Sequence, residues 1–232
     1  MNTAGLMKLI AVSSAVVLLL CLPLPLVAAD WKTRADRNGI LVESRPAQDS
    51  RYEEFRATVV MTAEPAHVIA LLQDNSACGD WLYRCTESRL LESVSTTERY
   101  FYQSTGLPFP AKARDAVFHA RVLYNSDRTI SVKMRAVPER LPETDMVRIR
   151  EARGTYLLQP LGDGRLRLTW QQFIDPAGAL PAWLVNRLLT DIPFKSLDAL
   201  RDLIRQPPYA DAFFDYDSNG VPIEIHVPNG ST

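Results

Sequence analysis

Alternation governs the middle of this chain. From Arg114 to Tyr124, Ala116, Phe118, Ala120, Val122 and Tyr124 fall on one side of an extended strand, and Val117, His119, Arg121 and Leu123 on the other. The stretch from Tyr52 to Met61 repeats the pattern, with Phe55, Ala57, Val59 and Met61 opposed to Glu54, Arg56 and Thr58. Strands are also expected over Ile40–Arg45, Leu82–Glu92, Glu98–Ser104, Thr129–Ala136, Met146–Gln159 and Arg165–Ile174. Turn chemistry at Asn125–Arg128 and at Gly162-Asp163-Gly164 separates neighbouring strands, so the sheet is expected to be an antiparallel meander. Asp30 to Asn38 reads as a short helical turn closed by Gly39.

Two segments switch to helical spacing. Thr62-Ala63-Glu64-Pro65 is a helix start with proline at the first position, and Ala66 to Gln73 follows. Asp74 to Asp80 reads as a loop. The longest helical pattern runs from Ala182 to Arg205, where Val185, Leu188, Leu189, Ile192, Leu200, Leu203 and Ile204 form one apolar stripe. Pro193 is expected to kink or divide it, and Pro207-Pro208 to stop it. The order predicts an α+β fold in which a curved antiparallel sheet wraps around a long C-terminal helix. A chamber between them would suit an apolar ligand.

Composition changes this picture only at the ends. The chain has 232 residues, 47% hydrophobic and 23% charged, with a formal charge of −1. Basic residues are scattered, so nucleic acid is not an expected partner. Residues 1–29 read as a signal peptide: Lys8, an apolar centre from Leu9 to Leu20, Pro23 and Pro25, then Val27-Ala28-Ala29 as a cleavage site. Export to the periplasm is expected, and an inner-membrane anchor through an uncleaved 9–29 segment is the alternative. Cleavage would leave Cys78 and Cys85, which in an exported chain are expected to form a disulfide. The organisation expected is thus a signal peptide over 1–29, a ligand-binding domain over 30–206 and an acidic, aromatic tail over 207–232. In that tail, Asp215-x-Asp217-x-Asn219-Gly220 repeats the opening of a calcium loop, but position twelve is His226 rather than glutamate, so a plain turn is the reading taken.

Candidate chemistry centres on Arg114-Asp115. One of two adjacent opposite charges at the start of a strand must face inward, and an inward arginine needs a carboxylate partner or a ligand. Leu166, Leu168 and Trp170 form the inward set on their strand. Trp81, Trp170 and Trp183 read first as core, with Trp170 also a candidate wall residue. Nucleophile elbow, zincin, phosphate-loop and dinucleotide motifs are all missing from the sequence. No catalytic residue, cofactor or metal is therefore expected, and His119 and Tyr124 are the first residues to test if the fold hosts an enzyme.

Leu71-Leu72-x-Asp74, Trp81, Leu107-Pro108-x-Pro110, Arg114-Asp115 and Pro181-x-Trp183-Leu184-x-Asn186 occur in an order and spacing that resembles the START (StAR-related lipid-transfer) domain. The resemblance covers roughly Trp31 to Arg205. It implies a helix-grip fold and the binding, with possible transfer, of a lipid or other hydrophobic small molecule. The alternatives are a helix-grip enzyme of cyclase or hydrolase type and a non-catalytic envelope interaction protein. It further implies an acidic partner for Arg114 from a preceding strand, with Glu87, Glu92 and Glu98 as candidates and Glu98 taken first. The expected ligand-binding set is Arg114, Glu98, Tyr100, Tyr102, Phe118, Trp170, Leu188 and Ile192. A monomer making transient membrane contact is the expected state.

Overall fold

The structure, a computed structural model, describes residues 30–228. The signal peptide expected over 1–29 lies outside the described residues, as does the end of the tail beyond 228.

Among the described residues, twelve strands and three α-helices follow in chain order: β1 (Lys32–Arg37), β2 (Ile40–Pro46), β3 (Glu53–Thr62), α1 (Pro65–Gln73), α2 (Cys78–Trp81), β4 (Cys85–Ser95), β5 (Glu98–Thr105), β6 (Arg114–Tyr124), β7 (Ile130–Ala136), β8 (Val147–Arg148), β9 (Ala152–Gly162), β10 (Arg165–Ile174), α3 (Ala182–Leu203), β11 (Phe213–Tyr216) and β12 (Pro222–His226). The main sheet runs β1-β2-β3-β10-β9-β7-β6-β5-β4, every neighbouring pair antiparallel. The meander is therefore interrupted once, where β10 returns to pair with β3 and joins the N-terminal hairpins to the rest.

The strand and helix expectations hold with three differences. The segment expected as a helical turn over Asp30–Asn38 instead contains strand β1, Lys32–Arg37. Asn38 and Gly39 both take positive φ, 52° and 72°, which closes a tight hairpin and lets β1 pair with β2. The loop expected over Asp74–Asp80 contains the single helical turn of α2. The strand expected over Met146–Gln159 is two pieces: β8 runs parallel to the start of β6, and the chain bends before β9. The bend follows from the burial of Arg148 against Asp115, described below.

The core is the sheet's concave face closed by α1 and α3. Val42, Phe55, Ala57, Val59, Met61, Leu158, Leu166 and Leu168 meet Val68, Ile69 and Leu71 of α1 and Phe194, Leu197, Leu200 and Ile204 at the C-terminal end of α3. Pro193 lies inside α3 without dividing it. It marks a change in burial instead. Phe194, Leu197 and Leu200, beyond it, are buried, whereas Val185, Leu188, Leu189 and Ile192, before it, are only half-buried. Trp183, read from sequence as core, is 62% exposed in the first turn of α3.

The segment after α3 folds back on the domain. Tyr209, Ala212 and Phe214 join the core, and the Tyr209 hydroxyl donates to Asp74 Oδ2 at 2.7 Å, at the C-terminal end of α1. The calcium-like motif is the turn of the β11–β12 hairpin. Asp217 Oδ1 accepts from the Asn219 and Val221 amides at 2.9 and 2.8 Å, so the carboxylate closes its own turn.

Candidate functional site: an apolar cavity under the last helix

A cavity of about 140 Å³ lies between the concave sheet and the N-terminal half of α3. Its wall is mostly apolar: Phe55, Phe118, Met134, Ile149, Tyr156 and Trp170 from the sheet side, and Leu180, Val185, Leu188, Leu189 and Ile192 from α3 and the loop before it. The polar residues that reach it include Glu53, Gln103, Thr105, Arg114 and Gln172. A smaller space of about 50 Å³ continues inward past Leu82, Gln103, Met134 and Tyr156. An open surface hollow of about 670 Å³ adjoins the cavity at Tyr52, Glu53, Leu180, Val185 and Leu189 and forms its mouth.

Strand parity decides which residues face this space. Arg114 stands on the same side of β6 as Ala116, Phe118 and Ala120, so it points into the cavity, where it is 4% exposed. Asp115 points to the other side. There its carboxylate accepts from Arg148 Nε at 3.0 Å and a terminal nitrogen at 2.9 Å, and from Thr144 at 3.0 Å. Both partners of this ion pair are buried, because the segment from Val137 to Met146 covers the outer face of β6. Burial resists ionisation of Asp115, but the hydrogen bonds from Arg148 and Thr144 outweigh it and hold the carboxyl below its ordinary value of 3.8.

Parity also sorts the expected ligand-binding set. Arg114, Phe118, Trp170, Leu188 and Ile192 all reach the cavity. Glu98, Tyr100 and Tyr102 do not; they occupy the opposite face of β5. Glu98 binds His119 Nε2 at 2.7 Å and Arg121 at 2.8 Å. Tyr100 stacks on His119 with ring centroids 4.7 Å apart, and Arg140 lies over its other face. Tyr102 packs against Val117 and Val137. Glu98 is thus not the partner of Arg114, and neither are Glu87, which pairs with Arg89, and Glu92, which pairs with Arg140. The acid expected to meet Arg114 is replaced by backbone. The guanidinium donates to the carbonyls of Pro176 at 3.1 Å, Ala177 at 3.2 Å and Lys112.

Gln103, Thr105, Tyr156 and Gln172 reach the cavity without having been expected there. Thr105 is the cross-strand partner of Arg114, and Tyr156 that of Trp170. The hairpin register would have found both, but register is not readable from alternation alone. Tyr156 stacks on Trp170 at 5.0 Å, and Phe55 meets the same indole edge-on at 4.9 Å. Burial pushes the Tyr156 phenol far above its ordinary value, so it stays neutral. The Trp170 Nε1–H is buried with no acceptor among the described residues. His119 faces away from the cavity, and no histidine lines it.

Cys78 and Cys85 form a disulfide that ties α2 to the start of β4, with Cα atoms 5.8 Å apart. The loop from β5 to β6 carries Leu107, which lines the cavity, and Phe109, which is 97% exposed. Among the described residues no helix is long and apolar enough to cross a membrane.

A curved antiparallel sheet gripping one long helix over an apolar chamber defines the helix-grip class. The START domain model matches residues 26–205, and the chain belongs to the START domain family. An uncharacterised protein of Pseudomonas aeruginosa is 31% identical over 176 residues, covering 75% of this chain and 87% of that protein. The mouse phosphatidylcholine transfer protein is 25% identical over 167 residues, covering 69% of this chain and 77% of its own. The crystal structure of a STAR-related lipid transfer protein fragment from Xanthomonas axonopodis superimposes with a TM-score of 0.70 at 35% identity, covering 76% of this chain and 99% of that fragment.

Proposed function

We propose that this protein binds one lipid or similar hydrophobic molecule in the cavity beneath α3 and transfers it between membranes of the cell envelope. The observation that carries this is the apolar chamber closed by the half-buried, N-terminal part of α3. The names of its relatives, a phosphatidylcholine transfer protein and a STAR-related lipid transfer protein, support the same reading. Phe118, Trp170, Leu188 and Ile192 supply apolar wall, at roughly 25 cal/mol per Å² of surface they bury against the ligand. Arg114 orients the polar end.

The chamber as it stands matches a small aromatic molecule, for which about 150 Å³ suffices. A whole acyl chain needs more room. Val185, Leu188, Leu189 and Ile192 are the residues that move to give it, hinged at Pro193, where the missing N–H already leaves the Leu189 carbonyl without its helical partner. The buried half beyond Pro193 stays anchored.

The chain acts in the periplasm as a monomer after loss of the leader over 1–29. A disulfide between Cys78 and Cys85 fits an oxidising compartment. Phe109 and Trp183, both large, apolar and exposed, are the residues that meet a membrane during exchange. The activity is binding rather than catalysis, because the candidate base His119 is turned away from the chamber and held by Glu98. Native mass spectrometry of the mature protein from the periplasm, before and after solvent extraction, tests the proposal. A discrete added mass released by extraction is the expected result. A bare chain that takes up no lipid from vesicles would overturn it.

A further inference from the structure

Arg114 carries its charge into an apolar chamber for which the described residues provide no counter-ion. Its three contacts, to the carbonyls of Lys112, Pro176 and Ala177, are with dipoles. The acids nearby are committed elsewhere. Asp115 is bound by Arg148 on the far face of the sheet. Glu53, the acid in the cavity wall, accepts from Arg34 at 2.5 Å and Ser44 at 2.6 Å. Burial lowers the pKa of Arg114 below its ordinary value, the direction of a guanidinium that has lost water without gaining an anion.

Donors are left over as well. A guanidinium has five N–H groups. Three are used here, which leaves one on each terminal nitrogen, the pair that a carboxylate or phosphate meets with two oxygens. The Trp170 Nε1–H in the same wall is a further donor without an acceptor. An unmatched positive charge with donors left over in the chamber calls for an acceptor-rich anion.

We infer that the molecule held in this cavity carries an anionic oxygen group, a carboxylate or a phosphate, that docks on Arg114. The inference rests on the lipid-binding reading above and narrows it. A neutral hydroxyl end supplies acceptors but no charge, and a cationic end is repelled. The loop that holds Arg114 through the Pro176 and Ala177 carbonyls continues as Gly178, Ala179 and Leu180 along the mouth, so the anion sits near the opening and the hydrocarbon runs inward past Phe118 and Trp170.

Matched pairs of ligands test this. Delipidated wild-type protein, loaded with a fluorescent apolar probe, is titrated with palmitic acid against hexadecanol, and with phosphatidic acid against the diacylglycerol of the same chains. The anionic member of a pair should displace the probe at about ten- to a hundredfold lower concentration, the range expected of hydrogen bonds to a charged group. Whether the carboxylate or the phosphate pair shows it identifies the headgroup. High salt should leave the preference in place, because the guanidinium is buried. Arg114→Gln should abolish the preference, bringing the anionic member of each pair to the level of its neutral partner, and Arg114→Lys, which keeps the charge, should retain part of it. Equal binding within both pairs, or a preference that survives Arg114→Gln, overturns the inference while lipid binding stands. Failure of all four compounds to displace the probe overturns lipid binding itself. If the glutamine variant does not fold, the wild-type pairs and the lysine variant decide.

Discussion

Truncating one leucine on each side of Pro193 separates the two halves of α3. Leu200 is 0% exposed and packs in the core. Leu200→Ala deletes a fully buried isobutyl group and should cost about 3 kcal/mol, within the range of such cavities. Leu188 is half-buried and already borders the chamber. Full burial of a leucine contributes about 1.5–3 kcal/mol, so removing half of that gives about 1 kcal/mol for Leu188→Ala. Urea unfolding of both variants, with an m-value near 3 kcal/mol per M, should show the midpoint lowered by about 1 M for Leu200→Ala and about 0.3 M for Leu188→Ala. Ligand release should rank the other way. A lost contact of about 1 kcal/mol speeds release of bound lipid to acceptor vesicles by about fivefold in Leu188→Ala, while Leu200→Ala leaves release unchanged. Equal destabilisation by the two substitutions, or release that responds only to Leu200→Ala, would refute the division of α3 into a moving half and an anchored half.

Asp115→Ala leaves the buried Arg148 guanidinium without its carboxylate and should lower stability by about 3 kcal/mol in chemical denaturation. Because the folded pKa of Asp115 is depressed, its stabilising effect is complete above 3.8 and lost as pH falls through the folded value, so wild type should lose stability in that acid window more steeply than the variant. Reduction of the Cys78–Cys85 disulfide, which closes a short loop, should cost about 2 kcal/mol and be read as a fall in the melting midpoint with added reductant. Phe109→Asp should leave the urea midpoint unchanged, since the side chain touches little, but reduce co-sedimentation with lipid vesicles; unchanged co-sedimentation would remove that loop from the membrane contact.

Local pattern was enough to specify much of this protein. Alternation in β3, β6 and β10 separated their two faces, and Leu166, Leu168 and Trp170, taken as an inward set, are buried. Pro65 opened α1, the glycine-rich turn joined β9 to β10, and the apolar stripe set α3. These are properties of a few neighbouring residues, and the period of the side chains carries them. The order of elements then sufficed for the helix-grip architecture.

What local pattern could not carry was the relation between strands. Tyr100 and Tyr102 alternate with Phe101 whichever face is inward, and only the pairing of Thr105 with Arg114 turns Glu98, Tyr100 and Tyr102 outward and Gln103 and Thr105 inward. The partners of the Arg114-Asp115 pair were likewise beyond reach. Arg148 is 33 residues from Asp115, and it arrives because β8 runs parallel to β6. The carbonyls of Pro176 and Ala177 reach Arg114 from 62 and 63 residues away. Trp183 shows the same limit in a helix, where a large apolar side chain in the first turn of α3 faces solvent. The sequence by itself determined the elements, their inward stripes and the enclosing fold, because each is written in residues a turn or a strand apart. Which charges pair, which donors remain free and what the chamber admits were decided only by tertiary structure, because those contacts join segments that no local period connects.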